Sequence, residues 1–318
     1  MKKHKTLYPP LVFNIFKPAR MTSYDVVRHF KRHLPQGFGK IGHFGTLDPF
    51  ASGVLMIGIA GAARLNDFIH EYLPKTYLAV GKLGVETPTG DLTVVPVQID
   101  DSRFLKEEIA RLPKDFIEEK LREKFLGDYW QAPHKYSAAK FEGKALHEWA
   151  REGVEIKKEQ VLRHVYDIKV VKYKFPYLSV RVRVSSGTYV RTLFSDFAQY
   201  LGTLGTLVSL VRESVGNEIH FKKALIKKNW PQDKSEEVMK YALPINKVLP
   251  FQELHLDAQQ EKTFRNGGFL KVSDFSDLKG TYFWAISNES QKLLGLTYKN
   301  ENEIRPKINF NSDEIAAL

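Results

Sequence analysis

The sequence predicts an α+β fold, in which a large domain, residues 1–245, precedes a small β-rich unit, residues 246–318. In Tyr177–Gly202 a strand pattern runs directly into a helix pattern, so both kinds of element belong to the large domain. The polar stretch 226–245 has no sheet pattern and marks the boundary. Beyond it, the segments GGFL, GTYFWAIS and KLLGLTY are apolar and aromatic, which is typical of strands.

The first half of the large domain opens with a helix that begins at Met21-Thr22-Ser23. Thr22 or Ser23 is the expected N-cap, and apolar residues share one face of the helix at Val27, Phe30 and Leu34. Further apolar runs predict, in order, a buried strand, a short helix and a second strand at 54–60, 62–69 and 75–85.

The second half begins with two amphipathic helices, near 103–111 and 114–125. Alternation of apolar and polar residues in 178–184 then predicts a half-buried strand, and Ser186-Gly187 turns the chain. After the turn, apolar residues recur at helical spacing from Val190 to Leu201, and Gly202 ends the helix.

Composition excludes several classes of protein. The hydrophobic fraction of 43% in 318 residues supports a sizeable core. The absence of cysteine excludes disulfides, thiolate metal sites and a cysteine nucleophile, and it fits a reducing cytoplasm. The longest apolar run, Val54–Ala63, is about half the length that spans a bilayer, so we expect no membrane partner. Because prolines interrupt the apolar N-terminal segment, we do not expect it to be a signal peptide.

The charge is basic and unevenly distributed. Lys and Arg number 48 against 37 Asp and Glu, a net charge of +11, and residues 1–50 hold nine basic residues against two acidic ones. Such an excess favours a polyanionic partner, most often nucleic acid. A basic protein without a nucleic-acid partner is the alternative that composition leaves open.

Common cofactor motifs are absent or misplaced. GFGKIG, residues 37–42, has the spacing of a dinucleotide fingerprint, but a helix and a proline precede it where a strand is required. No phosphate-binding Walker loop, zinc-binding H-E-x-x-H motif or nucleophile elbow occurs. Asp48, Tyr77 and Arg191 then stand out as polar residues in otherwise well-patterned segments. Taken singly, each has a structural explanation, as a turn residue, a sheet tyrosine and a helix arginine.

Five motifs occur in one order along the chain: KPARMTS (17–23), GHFGTLDPFASGVL (42–55), KTY and LGVETPTGD (75–91), QAPHKYSAAKFEGKALHEWAREG (131–153) and SSGTYVRTLFSDFAQYLG (185–202). Taken together, these motifs resemble those of the tRNA pseudouridine synthases of the TruB type. The resemblance covers nearly all of residues 10–245. Beyond 246, NGGFL and EIRPKINF are similar to a PUA-like RNA-binding unit. The resemblance implies a pseudouridine synthase fold with a mixed, mostly antiparallel sheet flanked by helices.

Four departures from the family pattern concern the site. Ala19-Arg20 stands where the family usually has a residue followed by glycine, and Phe44 replaces a small or polar residue. His134 replaces the second proline of a Pro-Pro pair, and Val211 replaces the first arginine of an Arg-Arg pair. None of these removes a catalytic position, and Phe44 and Val211 affect the expected RNA contacts.

The resemblance implies isomerisation of uridine 55 in the T-arm of tRNA to pseudouridine, with no cofactor and no metal. Asp48 would attack the base at C6 or the sugar at C1′, and these two routes stay open. Arg191 would pair with Asp48 and keep it ionised. Tyr77 would stack on the extruded uracil, with proton transfer by its hydroxyl as a second role.

The remaining site residues also follow from the resemblance. Tyr189 and Leu210 match positions that line the base pocket. His43 matches the residue that fills the space left by the extruded base, with a structural histidine as the alternative. Residues expected to contact RNA phosphates are Lys17, Lys75 and Lys140.

The expected partner is tRNA, bound by a monomer without an obligate protein partner. Two alternatives remain at this point: a non-catalytic RNA-binding or RNA-remodelling protein on the same fold, and a guide-RNA-dependent relative. The short C-terminal tail argues against the guide-dependent type. The presence of Asp48, Tyr77 and Arg191 argues against a protein that only binds RNA.

Overall fold

The computed structural model describes residues 8–132, 140–145, 149, 152, 154 and 159–310. Its α-helices are α1 Ser23–His33, α2 Asn66–Tyr72, α3 Arg103–Glu107, α4 Lys114–Phe125, α5 Val190–Tyr200 and α6 Ala258–Arg265. The strands up to residue 150 are β1 Leu11–Lys17, β2 Ile41–His43, β3 Ser52–Ile59, β4 Lys75–Leu83, β5 Val85–Glu86, β6 Gln98–Ile99, β7 Gly127–Gln131, β8 Lys140–Phe141 and β9 Lys144–Ala145.

The remaining strands are β10 Val161–Lys174, β11 Tyr177–Val184, β12 Gly205–Val215, β13 Ile219–His220, β14 Ala242–Pro244, β15 Gln252–Leu256, β16 Leu270–Lys271, β17 Tyr282–Ser287, β18 Leu293–Asn300 and β19 Glu303–Asn309. Short 3₁₀ helices connect several of these elements.

The large sheet is mixed and mostly antiparallel, as predicted. Its strands follow the order β14-β1-β3-β12-β4-β11-β10-β7, with β2 paired to β3 and β13 paired to β12. The contact between β3 and β12 is parallel, and the other strand pairs among the described residues of this sheet are antiparallel. The parallel contact brings Val211 and Arg212 of β12 beside Ser52 and Gly53 of β3. Segments far apart in sequence therefore meet next to the loop that carries Asp48.

One face of the large sheet is covered by α4 and α5. Ile117, Leu121 and Phe125 of α4 are buried against it, as expected of an amphipathic helix. Gly81 of β4 allows the close approach of α5, because a Cβ atom there would lie 2.0 Å from the ring of Phe194. Phe194 of α5 thus packs directly on the backbone of β4, and any side chain at position 81 would push α5 away from the sheet.

Helix α1 begins where the sequence predicts. Thr22 is its N-cap: the Thr22 hydroxyl accepts from the Asp25 N–H at 3.0 Å, and the Asp25 carboxylate accepts from the Thr22 N–H at 3.0 Å. These two bonds form a capping box, which satisfies amide groups that an uncapped helix leaves without partners.

A second sheet, with the order β15-β17-β18-β19-β16, follows the first in sequence. Phe264 of α6 is buried against this sheet. Trp284 and Phe310 pack in a cluster that also contains Phe44 and Phe68 of the large domain, so the two sheets share apolar contacts. Across the residues described here, no helix is both long enough and apolar enough to cross a membrane.

Candidate active site

Asp48 lies in the turn between β2 and β3. The Ala51 N–H donates to the Asp48 carbonyl at 3.1 Å, which closes the turn. Buried Ser23, at the start of α1, accepts from the Leu47 N–H at 2.9 Å and donates to the Leu47 carbonyl at 3.1 Å. The Asp48 side chain is 32% exposed. The turn is therefore held from both sides while the carboxylate stays accessible.

Lys17 ties this turn to the chain that precedes α1. Its side chain is fully buried, and its ammonium donates to the carbonyls of Ala51 at 2.6 Å, Met21 at 2.7 Å and Pro18 at 3.0 Å. Burial lowers the pKa of Lys17 to about 8. The predicted phosphate contact does not fit this geometry, because the ammonium points into the protein and binds backbone oxygens.

Arg212 supports the same turn from β12, and the sequence analysis did not identify it. Its Nε donates to the Val54 carbonyl at 2.7 Å, and its Nη2 donates to the Gly45 carbonyl at 3.2 Å. The signal was available, since Arg212 is the second position of the family's Arg-Arg pair. Val211, at the first position, is partly buried within the sheet.

Arg191 holds the Asp48 carboxylate by two bonds. Nε lies 3.0 Å from Oδ2, and Nη2 donates to Oδ1 at 3.1 Å. A two-point contact of this kind fixes the orientation of a carboxylate as well as its charge. Arg191 is in the first turn of α5 and is only 7% exposed. The structure therefore brings together two of the three predicted catalytic residues.

The other side of Arg191 faces the segment after β5. Its Nη1 donates to the Thr89 carbonyl at 2.8 Å and lies 3.7 Å from Oδ2 of Asp91. Asp91 is buried and accepts from the Thr93 N–H at 3.0 Å. Asp91 is the last residue of the motif LGVETPTGD and was not among the predicted site residues. Arg191 thus lies between two carboxylates and one carbonyl.

Burial raises the pKa of the Asp48 carboxyl above its ordinary value of 3.8, and nearby Asp91 acts in the same direction. The Arg191 guanidinium and the Lys17 ammonium oppose this shift. Arg191 thus favours the ionised form of Asp48, but burial has the larger effect on the pKa of the carboxyl.

Tyr77 lies on β4 and is buried in an apolar cluster with Leu47, Ala51 and Leu210. Leu47 and Ala51 flank the Asp48 turn in sequence, and Leu210 lies on β12 opposite Ala79. The predicted stacking residue and one predicted pocket residue thus belong to the same apolar cluster as the two residues that flank the turn.

Tyr189 is the residue that precedes α5. Its backbone N–H donates to Oε1 of Gln131 at 2.8 Å, and its carbonyl accepts from Nε2 of Gln131 at 3.0 Å. Gln131 is buried at the end of β7, and the sequence analysis did not single it out. The pair connects Tyr189, a predicted base-pocket residue, to the edge strand of the sheet.

His43 ends β2, opposite Ile57 of β3. Its Nδ1 is buried without a hydrogen-bond partner in the described part of the chain. Burial lowers the pKa of His43, and the nearby Arg212 adds to that effect. The ring is therefore favoured in its neutral form.

Lys75 begins β4 and is 3% exposed. Its ammonium donates to the Leu73 carbonyl at 2.9 Å and to Oγ of Ser186 at 2.7 Å, and Nδ1 of His70 also lies 2.5 Å from that hydroxyl. Burial lowers the pKa of Lys75 to about 7. Like Lys17, it binds groups of the protein in place of the predicted phosphate.

The other predicted positions are placed as follows. Lys140 is on β8, which pairs with β9, and nothing about its side chain is described. His134 lies outside the described residues. Phe44 points into the core, where a Cβ at Gly58 would lie 2.5 Å from its ring. Within the described ranges no group of three or more His, Asp or Glu side chains is arranged to hold a metal ion.

Comparison with known proteins gives consistent matches. The model of the TruB family pseudouridylate synthase N-terminal domain matches residues 31–190. The tRNA pseudouridine synthase B of Clostridium kluyveri is 37% identical over 290 residues, which cover 90% of this chain and 94% of that protein. The protein of the same name from Pasteurella multocida is 31% identical over 306 residues, covering 93% of this chain and 94% of that protein.

Solved structures share the fold at lower identity. A chain of an H/ACA RNP bound to a substrate RNA containing 2′-deoxyuridine has a TM-score of 0.66 at 20% identity, covering 96% of this chain and 86% of that chain. A chain of a Cbf5-Nop10-Gar1 complex has a TM-score of 0.64 at 21% identity, covering 99% and 86% respectively. These likenesses confirm the predicted fold.

Proposed function

This chain belongs to the TruB family of pseudouridylate synthases, and on that premise we propose that it is an isomerase that converts uridine 55 in the T-arm of tRNA to pseudouridine. The observation that carries the proposal is the two-point contact between Asp48 and Arg191, in a turn whose flanking residues Leu47 and Ala51 share an apolar cluster with buried Tyr77. A protein that only binds RNA has no need of a carboxylate oriented in this way.

The reaction breaks the bond between C1′ of the ribose and N1 of uracil, turns the base, and joins C1′ to C5. C5 loses a proton to solvent and N1 gains one, so the reaction involves no net oxidation and no hydrolysis. A cofactor is not required for this balance. Ionised Asp48 holds the intermediate, by attack at C6 or at C1′, while the base rotates.

The side chains around Asp48 have separate roles. Arg191 orients the carboxylate and opposes the effect of burial on its pKa. Tyr77 and Leu210 supply an apolar surface for the extruded uracil, and Tyr189, directly before α5, lines the same pocket. His43, largely neutral, fills the space in the RNA that the base leaves.

RNA phosphates require exposed cations, and α1 and the loop that follows it offer several. The exposed cations are Lys31 and Arg32 at the end of α1 and Lys40 directly before β2, and all three precede Asp48 in the sequence. We assign to them the contacts first expected of Lys17 and Lys75. Lys140 remains a predicted RNA contact.

We further propose that residues 246–318 form a PUA-like unit that contacts tRNA outside the target loop. Phe269 is 48% exposed, and the Arg305 guanidinium lies 5.7 Å from its ring centre. Exposed aromatic and arginine surfaces are suited to nucleotides in folded RNA. The proposal includes action as a monomer in the cytoplasm, without an obligate protein partner.

The test uses an unmodified tRNA transcript with tritium at C5 of uridine. The wild type should release tritium, and carbodiimide-blocked primer extension should give one stop in the T loop. Asp48→Asn, which keeps the shape of the side chain, should reduce release to background while tRNA binding stays within about twofold. Tight binding of tRNA by a wild type that releases no tritium would support the non-catalytic alternative.

A further inference from the structure

Arg20 adopts a backbone conformation that arginine rarely takes. Its φ is +67°, in the left-handed region that favours glycine. The TruB motif usually has glycine at this position. The family's glycine accounts for the left-handed backbone conformation, but it does not explain why this chain has arginine there. Non-glycine residues persist in this region where the surrounding structure enforces it, and such positions cluster at functional sites.

The loop around Arg20 is fixed against the Asp48 turn. The Arg20 N–H donates to the Pro49 carbonyl at 2.7 Å, and Pro49 directly follows Asp48. On either side, the carbonyls of Pro18 and Met21 accept from the buried Lys17 ammonium. The positive φ is thus enforced by the same network that holds the catalytic turn.

The Arg20 side chain takes no part in that network. The residue is exposed, and its guanidinium makes no hydrogen bond or ion pair with the residues that the structure describes. Arginine at this position therefore strains the backbone without adding a contact to the fold. Its one distinctive property is a cationic, fork-shaped donor on a residue whose backbone is bonded to Pro49, next to Asp48.

We propose that Arg20 binds a backbone phosphate of the RNA strand that enters the Asp48 site. This inference rests on the proposed function, because it takes RNA as the substrate. An extruded nucleotide has a phosphate on each side, and both must pass the rim of the pocket. The guanidinium fork matches two phosphate oxygens, so a single residue can fix the strand.

Three substitutions at Arg20 separate charge from backbone strain. Arg20→Gly removes both, Arg20→Gln removes the charge and keeps the strained residue, and Arg20→Lys keeps the charge. Gln291→Gly is the matched control for strain, because Gln291 also has a positive φ, of 54°, in the turn between β17 and β18.

The measurements are tRNA affinity between about 50 and 200 mM salt, and the melting temperature of each protein. Arg20→Gln and Arg20→Gly should both weaken tRNA binding about tenfold at low salt and lower the slope of log affinity against log salt by about one. Arg20→Lys should keep the wild-type slope. Arg20→Gly and Gln291→Gly should each raise the melting temperature by about 1–3 °C, and Arg20→Gln should not.

The distinctive expectation is thus a variant, Arg20→Gly, that is more stable but binds less well. Wild-type affinity and slope in Arg20→Gln would overturn the inference. A loss of affinity without a change of slope would overturn the phosphate assignment, since base stacking releases no counterions. The wild type is measured first: if it neither binds nor isomerises tRNA, the proposed function fails, whereas an active wild type and an unaffected Arg20→Gln refute the Arg20 inference alone.

Discussion

The side-chain amide of Gln131 pairs with both backbone polar groups of Tyr189: the Tyr189 N–H donates to Oε1 at 2.8 Å, and the Tyr189 carbonyl accepts from Nε2 at 3.0 Å. Tyr189 immediately precedes α5, and Arg191 lies in the first turn of that helix. Tyr129, two residues before Gln131 on β7, donates its hydroxyl to Asp196 of α5. The edge strand thus holds α5 at two points, and with it the guanidinium that orients Asp48.

Gln131→Met should lower the single-turnover rate of isomerisation about ten- to a hundredfold while tRNA affinity stays unchanged. The substitution keeps the size of the side chain but removes both bonds to Tyr189, and a small displacement of Arg191 misplaces the Asp48 carboxylate. The acid limb of the rate profile should also move to higher pH, because a displaced guanidinium stabilises ionised Asp48 less.

Gln98→Met is the control for this change, since Gln98 is exposed on β6. It should leave both the rate and the acid limb as in the wild type. A purely structural role for Gln131 would lower the melting temperature and leave the acid limb in place, and that result would refute the positioning role.

The rate of isomerisation should fall on acidification at a pH above the ordinary aspartate range. Burial raises the pKa of Asp48, and only the ionised form can act as nucleophile, so activity is lost as pH falls through that raised pKa. Arg191→Lys keeps a cation but loses the two-point contact, and it should move the acid limb to still higher pH. The profile is measured by tritium release under single-turnover conditions.

A matched control for Arg191→Lys is Arg181→Lys. Arg181 also makes a two-point contact, to Glu213 at 2.6 and 3.1 Å, but on β11 and away from Asp48. Its substitution should leave the profile unchanged. An Arg191→Lys profile that overlays the wild type would show that the guanidinium does not control the ionisation of Asp48.

The free energy of unfolding should increase with pH above about 7, in part through Lys75. Its pKa is about 7 in the folded protein and 10.5 in the unfolded chain, so between these values the unfolded state binds more protons. Stability then rises with pH by up to about 1.4 kcal/mol per unit. Lys75→Met removes this contribution, and urea unfolding between pH 6.5 and 9.5 should show a shallower slope than in the wild type.

Lys82→Met, on the opposite and partly exposed face of the same strand, serves as the control for Lys75. It should keep the wild-type slope. Parallel pH dependences for the wild type and Lys75→Met would contradict the buried, weakly basic ammonium inferred for Lys75.

The elements that the sequence predicts well are those with one apolar face. α1, α4, α5 and β11 were all expected from their spacing, and the structure places them within two residues of the predicted bounds at each end. β10 and β12 were not predicted as strands. Both contain bulges, at 165–167 and 170–172 in β10 and at 207–209 and 212–214 in β12, and each bulge breaks the two-residue alternation.

The sequence by itself determined the family and the fold class and singled out Asp48 as the candidate catalytic residue, because these depend on local residue types in a fixed order. Asp48 stands in a turn that Gly45 and Pro49 predict from the sequence alone. Tertiary structure alone decided what surrounds it. Asp48 and Arg191 are 143 residues apart, and they meet because α5 packs on the sheet beside the parallel contact of β3 and β12.

Tertiary structure also decided which cations can contact RNA. Lys17 and Lys75 have the same charge in the sequence as Lys31 or Arg20, but their ammonium groups are buried against carbonyl and hydroxyl oxygens. A buried ammonium needs such partners to offset the loss of water, and they come from segments distant in the chain. Charge is a property of the residue, whereas its availability to a phosphate depends on how the whole chain packs.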